Sequence, residues 1–291
     1  MDIQEHAFSF SCKGSWLYGV SSLPSEATSR GVLIVVGGPQ YRVGSHRQFT
    51  LLARDLAAHG VPVMRFDYRG MGDSEGDARN FEEIKDDLYC AIDQFFEKVQ
   101  SLKELVIWGL CDAASAALFY AHQDRRVTGL VLLNPWVRTD EGIAKARLKH
   151  YYLDRFFEPE FWNKILRGNF NIIKSVQSFS RNVSTALLSR NENSVTKNEK
   201  VTNESCSSSQ LPKRMMEGLT RFEGKVLFIT SGNDITAREF TDLVKASPAW
   251  QKLLKSSNVK HSNIPEADHT FSQKKWRDQI STWTREWVQS W

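Results

Sequence analysis

The sequence predicts an α/β protein with a mostly parallel central sheet and helices packed on both faces. Two observations carry this. Short β-branched runs that are apolar from end to end recur along the chain, and segments of helical period separate them. Strands without an in–out alternation have both faces covered, and strands spaced by helices pair in parallel. A third observation qualifies the picture: true alternation of apolar and polar residues occurs at the N-terminus, where an antiparallel piece is expected.

That piece comes first. The segments AFSFSC and SWLYGV flank Lys13-Gly14 and read as a hairpin. The parallel strands follow as VLIVV (32–36), VPVMRF (61–66), LVIW (105–108), VTGLVLL (127–133), KVLFIT (225–230) and, more weakly, VKHSNI (259–264). Between them, Phe49, Leu52, Ala53 and Leu56 form one helical stripe, stopped by Gly60. Ile84, Leu88, Ile92, Phe95 and Val99 form a second, and Trp276, Ile280, Trp283 and Trp287 a third. The tryptophans of the last stripe are expected to pack on the sheet.

Two stretches interrupt the alternation. Residues 138–183, with LKHYYLDRFFEPEFW, read as an inserted helical cap, and residues 184–212 as a flexible polar loop unable to bury enough apolar surface to order itself. The core is then 1–137 together with 213–291. A cap inserted there would lie over the C-terminal ends of the strands, where open parallel sheets bind ligands.

Composition narrows the classes. The 291 residues are 41% hydrophobic and 25% charged, ordinary for a soluble globular protein. The net charge of +4 is scattered along the chain, and a nucleic-acid partner needs a focused basic field. MDIQEHAFSF has neither a basic leader nor an apolar core, so no secretory signal is expected. No run approaches the roughly 20 apolar residues of a membrane span. The four cysteines, Cys12, Cys90, Cys111 and Cys206, are far apart, without the spacing of a zinc site or a disulfide framework. A reducing, cytoplasmic location is the expectation.

The sharpest chemical signal is LVIWGLCDAASAALFYA. A buried strand runs into Gly109-Leu110-Cys111-Asp112-Ala113 and on into an alanine-rich helix. This is the layout of a nucleophile elbow, G-x-Nu-x-G, with cysteine as the nucleophile and Ala113 for the second glycine. Small residues flank such a nucleophile because the strand-to-helix turn is tight and strained. The turn also sets the sulfur at a helix N-terminus, where the dipole favours a thiolate. A thiol nucleophile needs a base and a group to orient that base. Downstream, Asp234 follows the strand KVLFIT and His269 follows VKHSNI, in the chain order nucleophile, acid, base. His269 is the candidate base and Asp234 its orienter. His261, inside a strand, and Asp268, pointing away if His269 faces the site, are the weaker alternatives.

An oxyanion hole needs the backbone N–H of Asp112 and a second donor from Gly37-Gly38-Pro39-Gln40-Tyr41. Pro39 has no N–H, so Gln40 is the candidate, or else the Tyr41 hydroxyl. Gly38 permits close approach to a ligand. Ser45, His46 and Arg47 either cap the next helix, or His46 and Arg47 line the pocket and meet an anionic substrate group. The stretch Asp67–Ser74 reads as a structural loop in which Asp67 and Arg69 hold neighbouring backbone.

These residues resemble the α/β-hydrolase superfamily in its serine-aminopeptidase-like and dienelactone-hydrolase-like branches. More narrowly, VVGGPQYRVGSHRQF, RFDYRGMGDSEG, WGLCDAASAAL, LLNPWVRT and LKHYYL are similar to the hydrolase 1 family associated with exosortase A systems. The resemblance implies an α/β-hydrolase fold, a cytoplasmic enzyme, and a setting of exopolysaccharide and protein-sorting genes. Cysteine at the nucleophile position departs from the superfamily's usual serine. The leading expectation is hydrolysis of an ester or thioester on a small-molecule, lipid or sugar acyl substrate, without metal or organic cofactor. Acyl transfer to a sugar or lipid hydroxyl competes with it, and a binding or assembly protein with little catalysis is the third reading.

Overall fold

The computed structural model describes residues 2–38, 40–137 and 210–291. The chain divides into one unit made of Met1–Arg138 with Gln210–Trp291 and a second, Thr139–Ser209. The cap expected over 138–183 and the loop expected over 184–209 therefore lie outside the described residues.

The N-terminal hairpin joins β1 (Ile3–Cys12) to β2 (Ser15–Pro24), paired antiparallel with Cys12 opposite Ser15. Lys13 and Gly14 at the bend both have positive φ, 51° and 82°. A two-residue turn needs that sign at both positions to match the twist of the strands. The remaining strands are β3 (Arg30–Val35), β4 (Val63–Phe66), β5 (Glu104–Leu110), β6 (Val127–Leu133), β7 (Lys225–Ser231) and β8 (Val259–Ile264). They form one sheet in the order β1-β2-β4-β3-β5-β6-β7-β8. The hairpin joins β4 antiparallel, and every later pairing is parallel. Strand order reverses between β3 and β5, so their C-terminal ends open a crevice there.

The apolar runs are where the core sits. Val32–Val36, Leu105–Ile107 and Leu130–Leu133 are all essentially inaccessible to solvent. Helices α1 (Gln48–Ala58), α2 (Lys85–Lys98) and α3 (Asp112–Tyr120) bury the stripes their period implies. They are followed by α4 (Leu211–Arg221), α5 (Ile235–Ala246), α6 (Pro248–Leu254) and α7 (Lys274–Val288). In α7, Trp276, Ile280 and Trp287 are buried against the core, and Trp287 meets Trp291 edge-on at 4.4 Å. No described helix is long and apolar enough to cross a membrane.

One boundary moves. The polar loop was expected to reach residue 212, but Leu211 and Pro212 already open α4. Proline suits a first helical turn, whose N–H needs no partner, and Leu211 is buried. A buried leucine anchors the helix earlier than the polar composition around it suggests.

The loop after β4 is structural, as its residues imply. Asp67 accepts the backbone N–H of Arg42 at 2.6 Å and pairs with the Arg42 guanidinium. Arg69 forms a two-pronged pair with buried Asp87, Nε to Oδ1 at 2.8 Å and Nη2 to Oδ2 at 2.9 Å. Asp87 also takes the Arg69 backbone N–H at 2.9 Å.

Candidate active site

Cys111 sits between the end of β5 and the start of α3 with φ 64° and ψ −124°. A side-chain-bearing residue rarely holds those angles, so the surroundings must impose them. Here the Cys111 N–H donates to the Leu133 carbonyl at 2.8 Å, and the Cys111 carbonyl accepts from Ala114 at 3.1 Å and Trp136 at 3.2 Å. The strand-to-helix turn also demands a glycine at 109. A Cβ there would lie 2.7 Å from the Ala113 carbonyl and 2.8 Å from the Ala114 nitrogen. Gly109 and buried Ala113 are thus the packing solution to a tight elbow.

Asp234 follows β7 and caps α5, accepting the N–H groups of Thr236 at 3.2 Å and Ala237 at 3.0 Å. Its Oδ2 also receives His269 Nδ1 at 2.9 Å, and its side chain is only 7% exposed. The cap fixes the carboxylate before it meets the imidazole. His269, on the loop after β8, is one-third exposed. Burial works against its charge, but hydrogen bonding to Asp234 and then to the Cys111 side chain outweighs it and pushes the ring up to about 10. The three residues therefore come together, at the C-terminal ends of β5, β7 and β8.

The two alternatives point elsewhere. Asp268 accepts the Ser272 N–H at 2.9 Å and pairs with its hydroxyl, steadying the turn before α7. His261 Nε2 meets the Thr230 hydroxyl at 3.0 Å across β7 and β8.

Asp112, directly after Cys111, brings its carboxylate to the opposite loop. Oδ2 accepts the Gly38 N–H at 2.8 Å and Oδ1 that of Ala113 at 2.9 Å. A Cβ at Gly37 would run into this carboxylate and the Leu110 carbonyl, which explains a glycine there. Burial pushes the Asp112 carboxyl up, against the opposing pull of these amides and of His269. The Gln40 N–H donates to the Gly37 carbonyl at 3.3 Å and closes a turn. Its backbone donor is thereby engaged, and its side chain remains, with Oε1 buried and unpaired. Tyr41 is 46% exposed.

The helix-capping reading of Ser45, His46 and Arg47 fails. These residues form a short turn, and no side chain caps α1. His46 and Arg47 instead take positive φ, 52° and 59°, with exposed side chains. Two left-handed residues in a row turn the chain into α1 through the backbone alone.

One residue of the site has no role in the sequence reading. Asn134, fully buried at the end of β6 with φ 42°, ties the base's loop to the sheet. Its Nδ2 donates to Ser231 Oγ at 2.9 Å and to the His269 carbonyl at 3.1 Å, while its Oδ1 accepts the Ser231 N–H at 2.9 Å. The signal was an Asn-Pro pair closing an apolar strand, a turn mark that also placed a polar group beside the site.

Comparison with known proteins bears on the family and the fold. The family model described as serine aminopeptidase, S33 (Hydrolase_4) matches residues 27–231. A polyketide transferase, grgF, of a Penicillium species is 26% identical over 115 residues, which span 38% of this chain and 39% of the transferase. The chain thus matches well under half of that relative's length. Among solved structures, an esterase of Pyrococcus furiosus has a TM-score of 0.64 at 13% identity, covering 99% of this chain and 93% of its own. Dienelactone hydrolase of Anabaena variabilis has 0.62 at 16%, covering 99% and 98%. Est1E of Butyrivibrio proteoclasticus, solved with ferulic acid, has 0.61 at 15%, covering 98% of each chain. These likenesses show the α/β-hydrolase fold, and the matched model shows the family: this chain belongs to the serine aminopeptidase S33 (Hydrolase_4) family, with Cys111 at its strand-to-helix elbow.

Proposed function

We propose that the protein cleaves ester or thioester bonds through a Cys111–His269–Asp234 triad and a covalent acyl-enzyme. The observation that carries this reading is a cysteine held at φ 64° and ψ −124° whose sulfur is near enough to favour the charged form of a histidine bonded to Asp234 at 2.9 Å. The Cys111 thiol proton rests on His269 Nε2, leaving a thiolate beside an imidazolium whose Nδ1–H stays on the Asp234 carboxylate. The sulfur attacks the acyl carbon, and the tetrahedral intermediate expels an alkoxide or thiolate that leaves with the Nε2 proton. Water then gives a proton to His269, attacks the thioester, and frees the acid with the thiol restored. The backbone N–H of Asp112 and the side chain of Gln40 are the proposed oxyanion donors, and Gly38, Tyr41, His46 and Arg47 the proposed substrate contacts. No cofactor enters this chemistry.

A second reading is transfer of the acyl group to a sugar or lipid hydroxyl in place of water. The partial match to a polyketide transferase favours it, and a thioester intermediate stays reactive toward such an acceptor. The motifs VVGGPQYRVGSHRQF and WGLCDAASAAL support a narrower affiliation with exosortase-associated hydrolases, hence a cytoplasmic role near exopolysaccharide metabolism. A purely binding or assembly role would leave the His269–Asp234 pair without a use. The test is turnover of activated acyl esters and thioesters with and without added hydroxyl compounds. Free acid as the product in both supports hydrolysis, and a new ester supports transfer. No turnover of any acyl donor would sink both.

A further inference from the structure

One side chain joins the loop after β3 to the elbow. The carboxylate oxygens of Asp112 are divided between the two, Oδ2 on the Gly38 N–H at 2.8 Å and Oδ1 on the Ala113 N–H at 2.9 Å. Asp112 is partly buried, and among the described residues it has no lysine or arginine partner. Drawing a carboxylate out of water without such a cation is unfavourable, so the two amides are what hold it there. Gly37 fits the same arrangement: a Cβ at that position would strike the Asp112 carboxylate and lie 2.7 Å from the Leu110 carbonyl.

The contact decides which donors the loop has left. The Gly38 N–H is spent on Asp112, the Gln40 N–H closes a turn on the Gly37 carbonyl at 3.3 Å, and Pro39 has no N–H. Within Gly38–Gln40 a developing oxyanion is therefore met by the Gln40 side chain and not by the backbone. The turn that carries Gln40 hangs from the amide that Asp112 holds.

We infer that the Asp112 side chain is a positioning residue, whose carboxylate locks the Gly37–Gln40 turn onto the elbow and so sets the Gln40 side chain against the acyl oxygen. The inference rests on Cys111 being the acylated nucleophile. Asp112 then serves twice, its backbone N–H on the oxyanion and its carboxylate through the loop.

Two reactions of Cys111 in the full chain test this. Acylation by an activated thioester builds an oxyanion, whereas alkylation by iodoacetamide displaces iodide and builds none. Asp112→Ala should lower acylation about a hundredfold relative to alkylation, the loss expected for one oxyanion donor. Gln40→Ala should show the same split. Combining the two should cost little more than either alone, because both remove one donor. Asp112→Asn keeps one acceptor oxygen and serves if the alanine variant fails to fold; its relative acylation should fall about tenfold, as for one lost hydrogen bond. Exchange of the Gly38 amide hydrogen should quicken in both Asp112 variants. The inference is overturned if the acylation-to-alkylation ratio of the Asp112 variants equals the parent's, whether both rates hold or both fall together. It is equally overturned if the double variant loses the product of the two single losses. A parent protein whose Cys111 is alkylated but never acylated would remove the acyl-enzyme reading as well, whereas the preceding results remove this inference alone.

Discussion

Replacing Asn134 with alanine should be among the most damaging single changes near the site, although Asn134 belongs to no catalytic motif. Three losses combine. Two hydrogen bonds from Nδ2 vanish, to Ser231 Oγ and to the His269 carbonyl, each contributing about 1 kcal/mol. The Ser231 N–H, buried with its residue, loses its acceptor, at about 1–3 kcal/mol. Alanine must also hold φ near 42°, which costs about 1 kcal/mol more than for asparagine, whose side chain tolerates that region. The combined cost is about 4–6 kcal/mol, a large part of a domain's stability. Urea unfolding of Asn134→Ala beside Ser231→Ala measures it, since the latter loses only the hydroxyl contact and should cost about 1 kcal/mol. A second readout is acylation of Cys111, which should slow as the His269 loop loosens. A loss below 1 kcal/mol for Asn134→Ala would refute the reasoning.

Other consequences follow from the same geometry. The His269 proton is held in the folded state up to about pH 10 and released near 6.5 when unfolded. The stabilisation is thus full below 6.5 and declines as pH rises through 10, by at most about 1.4 kcal/mol per pH unit and less for a ring one-third exposed. Unfolding followed from pH 6 to 10 should show that slope, and Asp234→Asn should flatten it. Gly109→Ala puts a methyl 2.7 Å from the backbone of Ala113, so α3 must shift. Cys111 acylation should fall at least a hundredfold, or expression should fail, where Gly14→Ala, with open space around its Cβ position, costs only about 1 kcal/mol of φ strain. Arg69→Ala leaves the Asp87 carboxylate buried and unpaired and should cost about 3–5 kcal/mol in denaturant unfolding, with the residual folded enzyme still acylated.

The strands were legible because each carries its own apolar run: VLIVV, LVIW and VTGLVLL read as buried strands whatever surrounds them. The positions of Cys111, Asp234 and His269 were legible for a related reason: Cys111 follows β5 directly, Asp234 and His269 lie on the short loops after β7 and β8, and the end of a strand fixes where the next residues lie. What stayed hidden depends on partners distant in sequence. Asn134 meets Ser231 and His269 only once β6 and β7 pair. The carboxylate of Asp112 reaches Gly38 only because β3 and β5 are neighbours. The left-handed angles of His46 and Arg47 answer to no local residue preference, so the sequence leaves a helix cap and a pocket lining equally open, and the backbone excludes the cap. Leu211 shows the converse, a helix start set by burial inside a polar composition.

The central claim concerns one sulfur, and peptide-level mass mapping of the trapped acyl-enzyme tests it most directly. After brief exposure to an activated thioester, the peptide containing Cys111 should carry one acyl group. That adduct should be absent in Cys111→Ala, should form far more slowly in His269→Ala, and should disappear on standing in the parent protein. An adduct confined to another residue, or undiminished turnover in Cys111→Ala, would contradict the account.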